Sequence, residues 1–129
     1  MPSKRVICPE RIRQIPAHFS WVDHRLVRER YLERCDACAA ALYLFLVTVA
    51  DAQGLSYYAD ATLARRLSMA PARLEMARSD LIRVGLIAWQ GPIYQVLALD
   101  APVPAPPLPH ADVTTQLERL HAALGKRRA

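Results

Sequence analysis

The fold is decided by residues 50–87, which read ADAQGLSYYADATLARRLSMAPARLEMARSDLIRVGLI. Leu55–Tyr58 is short and aromatic, a composition that predicts a brief strand. Asp60 then begins a predicted helix over Ala61–Leu67. Its apolar face consists of Leu63, Ala64 and Leu67. A tight connection at residues 68–70 leads from this helix to the next element.

A second helix is predicted from Pro71 to about Val84. Proline suits the first helical position because its missing N–H would have no partner there. Gly85 is a typical stop signal just after the last turn. The buried face has spacings of three and four residues and consists of Leu74, Ala77 and Leu81. This helix therefore has one side for a core and one side for solvent.

Flanking segments complete the central unit. Asp36 is expected to cap an apolar helix that ends near Gln53–Gly54. The apolar run Ala37–Ala50 is too short for a membrane span, which needs roughly 20 residues. Downstream, two strands are predicted at Leu86–Gln90 and Ile93–Leu99, joined by a turn at Gly91-Pro92.

The order helix, strand, helix, turn, helix and hairpin is that of a winged helix-turn-helix, a mainly α fold with a small β-hairpin wing. Residues 50–87 resemble the winged-helix domains of plasmid and phage replication initiators and of DnaD-like proteins. The resemblance is carried by Ala50, Asp51, Gly54, Leu63, Ala64, Leu67, Leu74, Leu81, Gly85, Leu86 and Ile87. It covers about half of the chain and implies double-stranded DNA as the partner. Some winged helices bind proteins instead.

The central unit spans residues 36–100, and extensions lie on both sides of it. Residues 1–35 are expected to be a basic segment with an amphipathic helix that Asp23 caps and that runs to about Arg34. Residues 101–111 contain APVPAPPLP and predict a stiff linker. Residues 112–129 predict a basic helix with its own apolar stripe, Val113, Leu117, Leu120 and Leu124. These extensions make the predicted fold a winged helix-turn-helix with N- and C-terminal helices.

The formal net charge of +5 lies in the two ends of the chain. Residues 1–34 contain eight Lys and Arg against four Asp and Glu, whereas residues 35–100 contain five against six. Basic extensions of this kind act as arms on phosphate backbones, or else they are ordinary solvated surface. Charge alone does not separate these two interpretations.

The resemblance implies a DNA site on the two helices of residues 60–84. Arg73 is the candidate for a guanine contact, because a guanidinium can bond O6 and N7 together. Arg65, Arg66 and Thr62 suit phosphate contacts. The remaining expected groove-facing residues are Ala72, Glu75, Met76, Ser79 and Arg83. We therefore expect a sequence-specific DNA-binding protein, either a transcriptional regulator or an accessory factor for replication or transposition in a mobile element.

An alternative is a protein-interaction module that docks a partner through the wing or the apolar helix. No Lys or Arg lies between Arg83 and Arg119, so the wing has no cation. It offers Trp89, Gln90 and Tyr94, and the two aromatic rings face either the core or a protein partner.

A homodimer through the charged N-terminal helix or the helix after the linker is also expected.

Other classes of function have little support. Cys35 and Cys38 form a CxxC pair with Cys8, His18 and His24 upstream, but no second ligand pair completes a zinc site. No catalytic motif stands out, so we expect neither an enzyme nor a cofactor. Residues 1–15 lack the apolar run of a signal peptide. These features favour a cytoplasmic protein of bacterial type with reduced thiols and no membrane partner.

Overall fold

The computed structural model describes residues 3–99, which are mainly helical with a small three-stranded antiparallel sheet. This confirms the predicted class of structure. The predicted linker and C-terminal helix lie outside the described residues. The helices are α1 (Arg25–Arg28), α2 (Ala37–Val49), α3 (Asp60–Arg66) and α4 (Pro71–Val84). The strands are β1 (Leu55–Tyr57), β2 (Ile87–Gln90) and β3 (Ile93–Val96).

The sheet has the order β1-β3-β2, so the strand that precedes α3 pairs with the hairpin that follows α4. Tyr94 of β3 lies opposite Ser56 and Trp89, and its side chain is completely buried. The next residues along the strand point to the other face. There, Ile93 lies opposite Tyr57 and Gln90, all exposed. One face of the sheet therefore belongs to the core and the other faces solvent.

Helix α2 runs through the core. It begins where predicted, because the Asp36 carboxylate accepts a hydrogen bond of 2.9 Å from the Ala39 N–H. It ends at Val49, earlier than the predicted end near Gln53–Gly54. The Asp51 carboxylate accepts N–H groups of Gln53 and Leu55 and turns the chain into β1 instead. The fully buried leucines and isoleucine come from α2, α3, α4 and the start of β2: Leu42, Leu46, Leu63, Leu74, Leu81, Leu86 and Ile87.

The prediction of a single helix from Asp23 to Arg34 is wrong. Helix α1 covers one turn, a 3-10 helix follows at Leu32–Arg34, and Arg30 between them has a φ of 62°. One turn buries little, and Leu26 is the buried residue of α1. At its start, hydrogen bonds from Arg25 lower the pKa of Asp23 to about 2. The charged N-terminal helix expected for dimerisation is therefore absent from the described residues.

Two glycines have nearly the same φ angle, but we expect their substitution by alanine to lower stability by different amounts. Gly54 has a φ of 85° and Gly85 a φ of 86°. A Cβ on Gly54 would lie 2.6 Å from the Val96 carbonyl oxygen, whereas a Cβ on Gly85 would meet nothing within 4 Å. We expect Gly85→Ala to cost about 1 kcal/mol for the left-handed backbone alone. Gly54→Ala should cost about 2–3 kcal/mol, because the β1–β3 contact must also open. Urea unfolding of the two variants checks this, and equal losses would contradict it.

Candidate nucleic-acid interface

Helix α4 has one buried and one exposed side, as its spacing predicts. Leu74, Ala77 and Leu81 are buried against the other elements. The opposite side faces solvent, and Met76 there is 57% exposed. All six residues expected to face a groove are exposed: Ala72, Arg73, Glu75, Met76, Ser79 and Arg83. The helix thus presents a continuous solvent face along its length.

Arg73 lies in the first turn of α4 and is held by the start of α2. Its guanidinium is 3.1 Å from the Asp36 carboxylate, and its Nε donates to the Cys38 sulfur at 3.3 Å. The Cys38 contact, and then the Asp36 charge, raise the pKa of Arg73. Its side chain is still 44% exposed. Asp36 therefore caps α2 and also positions the arginine expected to contact a base.

Arg83 lies in the last turn of α4 and makes contacts of its own. Its Nη2 donates to the Arg34 carbonyl at 3.0 Å and to the Asp80 carboxylate at 3.2 Å. The Arg34 contact ties the end of α4 to the segment that precedes α2. With the side chain 62% exposed, the guanidinium remains open to solvent.

Helix α3 places two exposed arginines in its last turn. Arg66 lies over the Phe45 ring, 5.6 Å from its centroid, and Phe45 packs edge-on against Tyr58. No ion pair within residues 3–99 involves Arg65. Thr62 is only half-buried, near the start of the same helix. All three residues expected to contact phosphates are therefore accessible.

Arg78 is a buried cation that the sequence analysis did not single out. Its side chain is 7% exposed, and its Nη1 donates to the Asp60 carboxylate at 2.8 Å and to the Tyr94 hydroxyl at 2.9 Å. Its Cζ lies 3.9 Å from the centre of the Trp89 ring. Burial opposes its charge, but the bonds to Asp60 and Tyr94 outweigh burial and raise the pKa of Arg78. The side chain joins α4 to the start of α3 and to both strands of the hairpin.

A signal for Arg78 was present in the sequence. It follows Leu74 by four residues and precedes Leu81 by three, so it falls on the buried side of the helix. A cation at such a position needs a partner, because an unpaired buried charge is costly. The same contacts settle the open question about the wing aromatics. Tyr94 faces the core, while Trp89 packs under Arg78 and stays 41% exposed.

The cysteines point to different neighbours. The Cys35 sulfur lies near the Tyr31 and Leu32 carbonyls, whereas Cys38 is half-buried and accepts from Arg73. Burial, with Asp80 and Asp36 nearby, raises the pKa of Cys35, which favours the thiol over the thiolate that binds metals. Residues 3–99 contain no group of three His, Cys, Asp or Glu side chains placed to hold a metal ion. Within the described residues, the CxxC pair therefore belongs to no such group.

No family model, curated protein or solved structure matches this chain. The resemblance to replication initiators therefore remains a prediction from the sequence. Across residues 3–99, none of the helices has the length and apolar character needed to cross a bilayer.

Proposed function

We propose that residues 37–96 form a winged helix-turn-helix and that the protein binds double-stranded DNA sequence-specifically. It would act as a transcriptional regulator or as an accessory factor for replication or transposition. Support for the fold comes from the order of elements and from the pairing of β1 with β3. The connection between α3 and α4 is also short, at residues 67–70. Two helices joined in this way are typical of DNA-binding helix-turn-helix units.

The observation that carries the proposal is the exposed face of α4 with a guanidinium in its first turn. A helix of 14 residues is about 21 Å long, and a major groove about 12 Å wide accepts such a helix. Recognition helices contact bases mainly through their N-terminal residues. Arg73 occupies that part of α4.

Arg73 must leave Asp36 before it can contact a base. The pair is about half-exposed on both sides, and exposed pairs contribute only about 0–1 kcal/mol. A bidentate contact with guanine contributes about 1–3 kcal/mol of discrimination. The exchange of partners therefore favours DNA when the correct base is present.

Substitution of Arg65 and Arg66 tests the proposed phosphate contacts. A duplex selected from a random pool and a random duplex are each titrated by fluorescence anisotropy at several salt concentrations. Each phosphate contact adds about 0.9 to the slope of log K against log salt. The double variant Arg65→Ala with Arg66→Ala should reduce that slope by about 2 on both duplexes, because phosphates carry no sequence information.

The two duplexes serve as controls for each other. Loss of affinity for the selected duplex alone would mean that these arginines read bases. An unchanged slope on both would remove α3 from the interface. Failure of the wild-type protein to bind any duplex more tightly than about 1 µM at low salt would contradict DNA binding altogether.

A second candidate is a protein-interaction module, favoured by the uncharged hairpin. Residues 84–99 contain no charged residue. The outer sheet face exposes Tyr57 at 72% and Ile93 at 47%. For this function, replacing both residues with serine should abolish capture of a partner. For the DNA function, the same double variant should leave duplex affinity unchanged.

A further inference from the structure

The N-terminal arm, residues 3–22, carries large apolar side chains among its basic ones and is exposed along its described length. Every residue in it is exposed except Cys8, which is half-buried. The arm is attached near its end, where the Ser20 hydroxyl donates to the Thr48 carbonyl of α2 at 3.2 Å. Its large apolar side chains are between 53% and 98% exposed: Val6, Ile7, Ile12, Ile15, Phe19, Trp21 and Val22. Other described residues of the chain bury little of these side chains.

Helix α2 has an outer face that adjoins the arm. The helix contains no charged residue, a composition typical of a helix covered on all sides. Nevertheless Ala37, Leu44 and Thr48 are exposed, and Leu44 is 61% exposed. Leu44 and Thr48 lie one turn apart, next to the point where Ser20 attaches. The arm and this face therefore form neighbouring apolar surfaces.

The amount of apolar surface matches a dimer interface. The arm side chains and Leu44 together expose roughly 600–700 Å² of apolar surface. The largest apolar patch on a typical monomer is about 300–600 Å². A standard interface buries about 800 Å² per partner, a little over half of it apolar. The exposed surface is enough for such an interface without any contribution from the sheet.

We propose that two copies of the chain pair through this surface, with the arm of each copy lying on the outer face of α2 of the other. Each copy supplies an uncovered apolar strip and an uncovered, uncharged helix face, which is the self-complementarity that a two-fold dimer requires. The arm before Ser20 contains a 3-10 turn at Pro9–Arg11 and can span at most about 50 Å, whereas α2 is about 20 Å long. The arm is therefore long enough to cross to a second copy.

The basic residues of the arm are compatible with this pairing. Lys4, Arg5, Arg11 and Arg13 are exposed, and α2 itself contains no charged residue. Arg66 and Arg73 contact α2 from other elements, at Phe45 and Cys38. The basic residues of the arm can stay at the polar rim while the isoleucines and aromatic rings are buried. The dimer goes beyond the proposed DNA binding and does not depend on it.

Sedimentation velocity of the full chain without DNA, at protein concentrations from about 1 to about 100 µM, tests the proposal. We expect a species of twice the 14.5 kDa chain mass that persists at high salt, because apolar contacts are not screened. The double variant Phe19→Ser with Trp21→Ser, and separately Leu44→Glu, should raise the dissociation constant at least about 10-fold. The matched control Tyr57→Ser with Ile93→Ser removes exposed apolar groups from the sheet and should leave the dimer unchanged.

Thermal melts followed by circular dichroism check that each variant folds. Should an aromatic variant unfold, Ile7→Ser with Ile15→Ser replaces side chains that are 98% and 82% exposed and should weaken the dimer in a folded protein. A wild-type chain that stays monomeric to about 100 µM would overturn the proposal. So would a dimer that none of the arm and α2 variants weakens. A monomer that binds anionic lipid vesicles through the arm would assign the surface to a membrane instead and would equally overturn it.

Discussion

Replacing Arg78 with alanine is expected to lower the free energy of unfolding by about 2–4 kcal/mol. The substitution leaves the Tyr94 hydroxyl buried without its donor and opens a gap over the Trp89 ring. It also leaves the Asp60 carboxylate without the guanidinium that bonds it at 2.8 Å. Small domains are stable by about 5–15 kcal/mol, so this loss is a large share of the total.

The expected loss is smaller than that for a fully buried ion pair. Removing one partner of such a pair costs about 3–5 kcal/mol, because the remaining charge stays buried. Here the Asp60 side chain is 50% exposed, so water can solvate the carboxylate once Arg78 is gone. The buried hydroxyl, at about 1–3 kcal/mol, and the lost packing therefore supply most of the effect.

Urea unfolding at pH 7 of three variants separates these contributions. Asp60→Asn should cost about 1–2 kcal/mol, because the amide oxygen can still accept from Arg78 but the guanidinium, only 7% exposed, loses its counter-charge. Arg78→Lys keeps the charge but loses the planar guanidinium. Its loss of unfolding free energy should lie between those of the other two variants. A loss below about 0.5 kcal/mol for Arg78→Ala, as at an ordinary surface position, would show that the cluster does not hold the hairpin against α4.

Arg73→Ala is expected to weaken binding to the selected duplex about 10-fold or more, with little effect on a random duplex. A base contact depends on sequence, whereas the phosphate contacts of Arg65 and Arg66 do not. Anisotropy titrations on both duplexes measure the difference. Equal losses on the two duplexes would make Arg73 a phosphate contact and would contradict its assigned role.

Asp36→Asn is expected to act in the opposite direction. Asparagine caps a helix about as well as aspartate, so α2 should keep its start. The variant removes the carboxylate that lies 3.1 Å from Arg73, and it should tighten binding to the selected duplex by about 2–5-fold. In the Arg73→Ala background the gain should disappear. A gain of the same size in that background would attribute the effect to overall charge, not to release of Arg73.

Sequence signals for the ends of α4 were strong enough to place it correctly. Pro71 marks its start and Gly85 its end, and the spacing of Leu74, Ala77 and Leu81 indicates its buried side. The break in the N-terminal helix had no such signal. It depends on Arg30, a non-glycine residue with a φ of 62°, and no propensity rule singles out that position.

The candidate site was predictable only in part. Periodicity correctly placed the exposed side of α4, including Arg73 and Arg83. It could not supply their partners, because the contact of Arg73 with Asp36 depends on how α4 packs against α2. Arg78 shows the same limit, since its partners lie on α3 and on the sheet. Spacing along one helix predicts which side is buried but not which neighbouring element it meets.

Binding of duplex DNA through α4 can be followed by the amide chemical shifts of the full chain. On addition of the selected duplex, we expect the largest shifts at residues 62–66 and 72–83, with smaller ones in the basic N-terminal arm. Shifts confined to the outer sheet face around Tyr57 and Ile93, or no shifts at all, would contradict it.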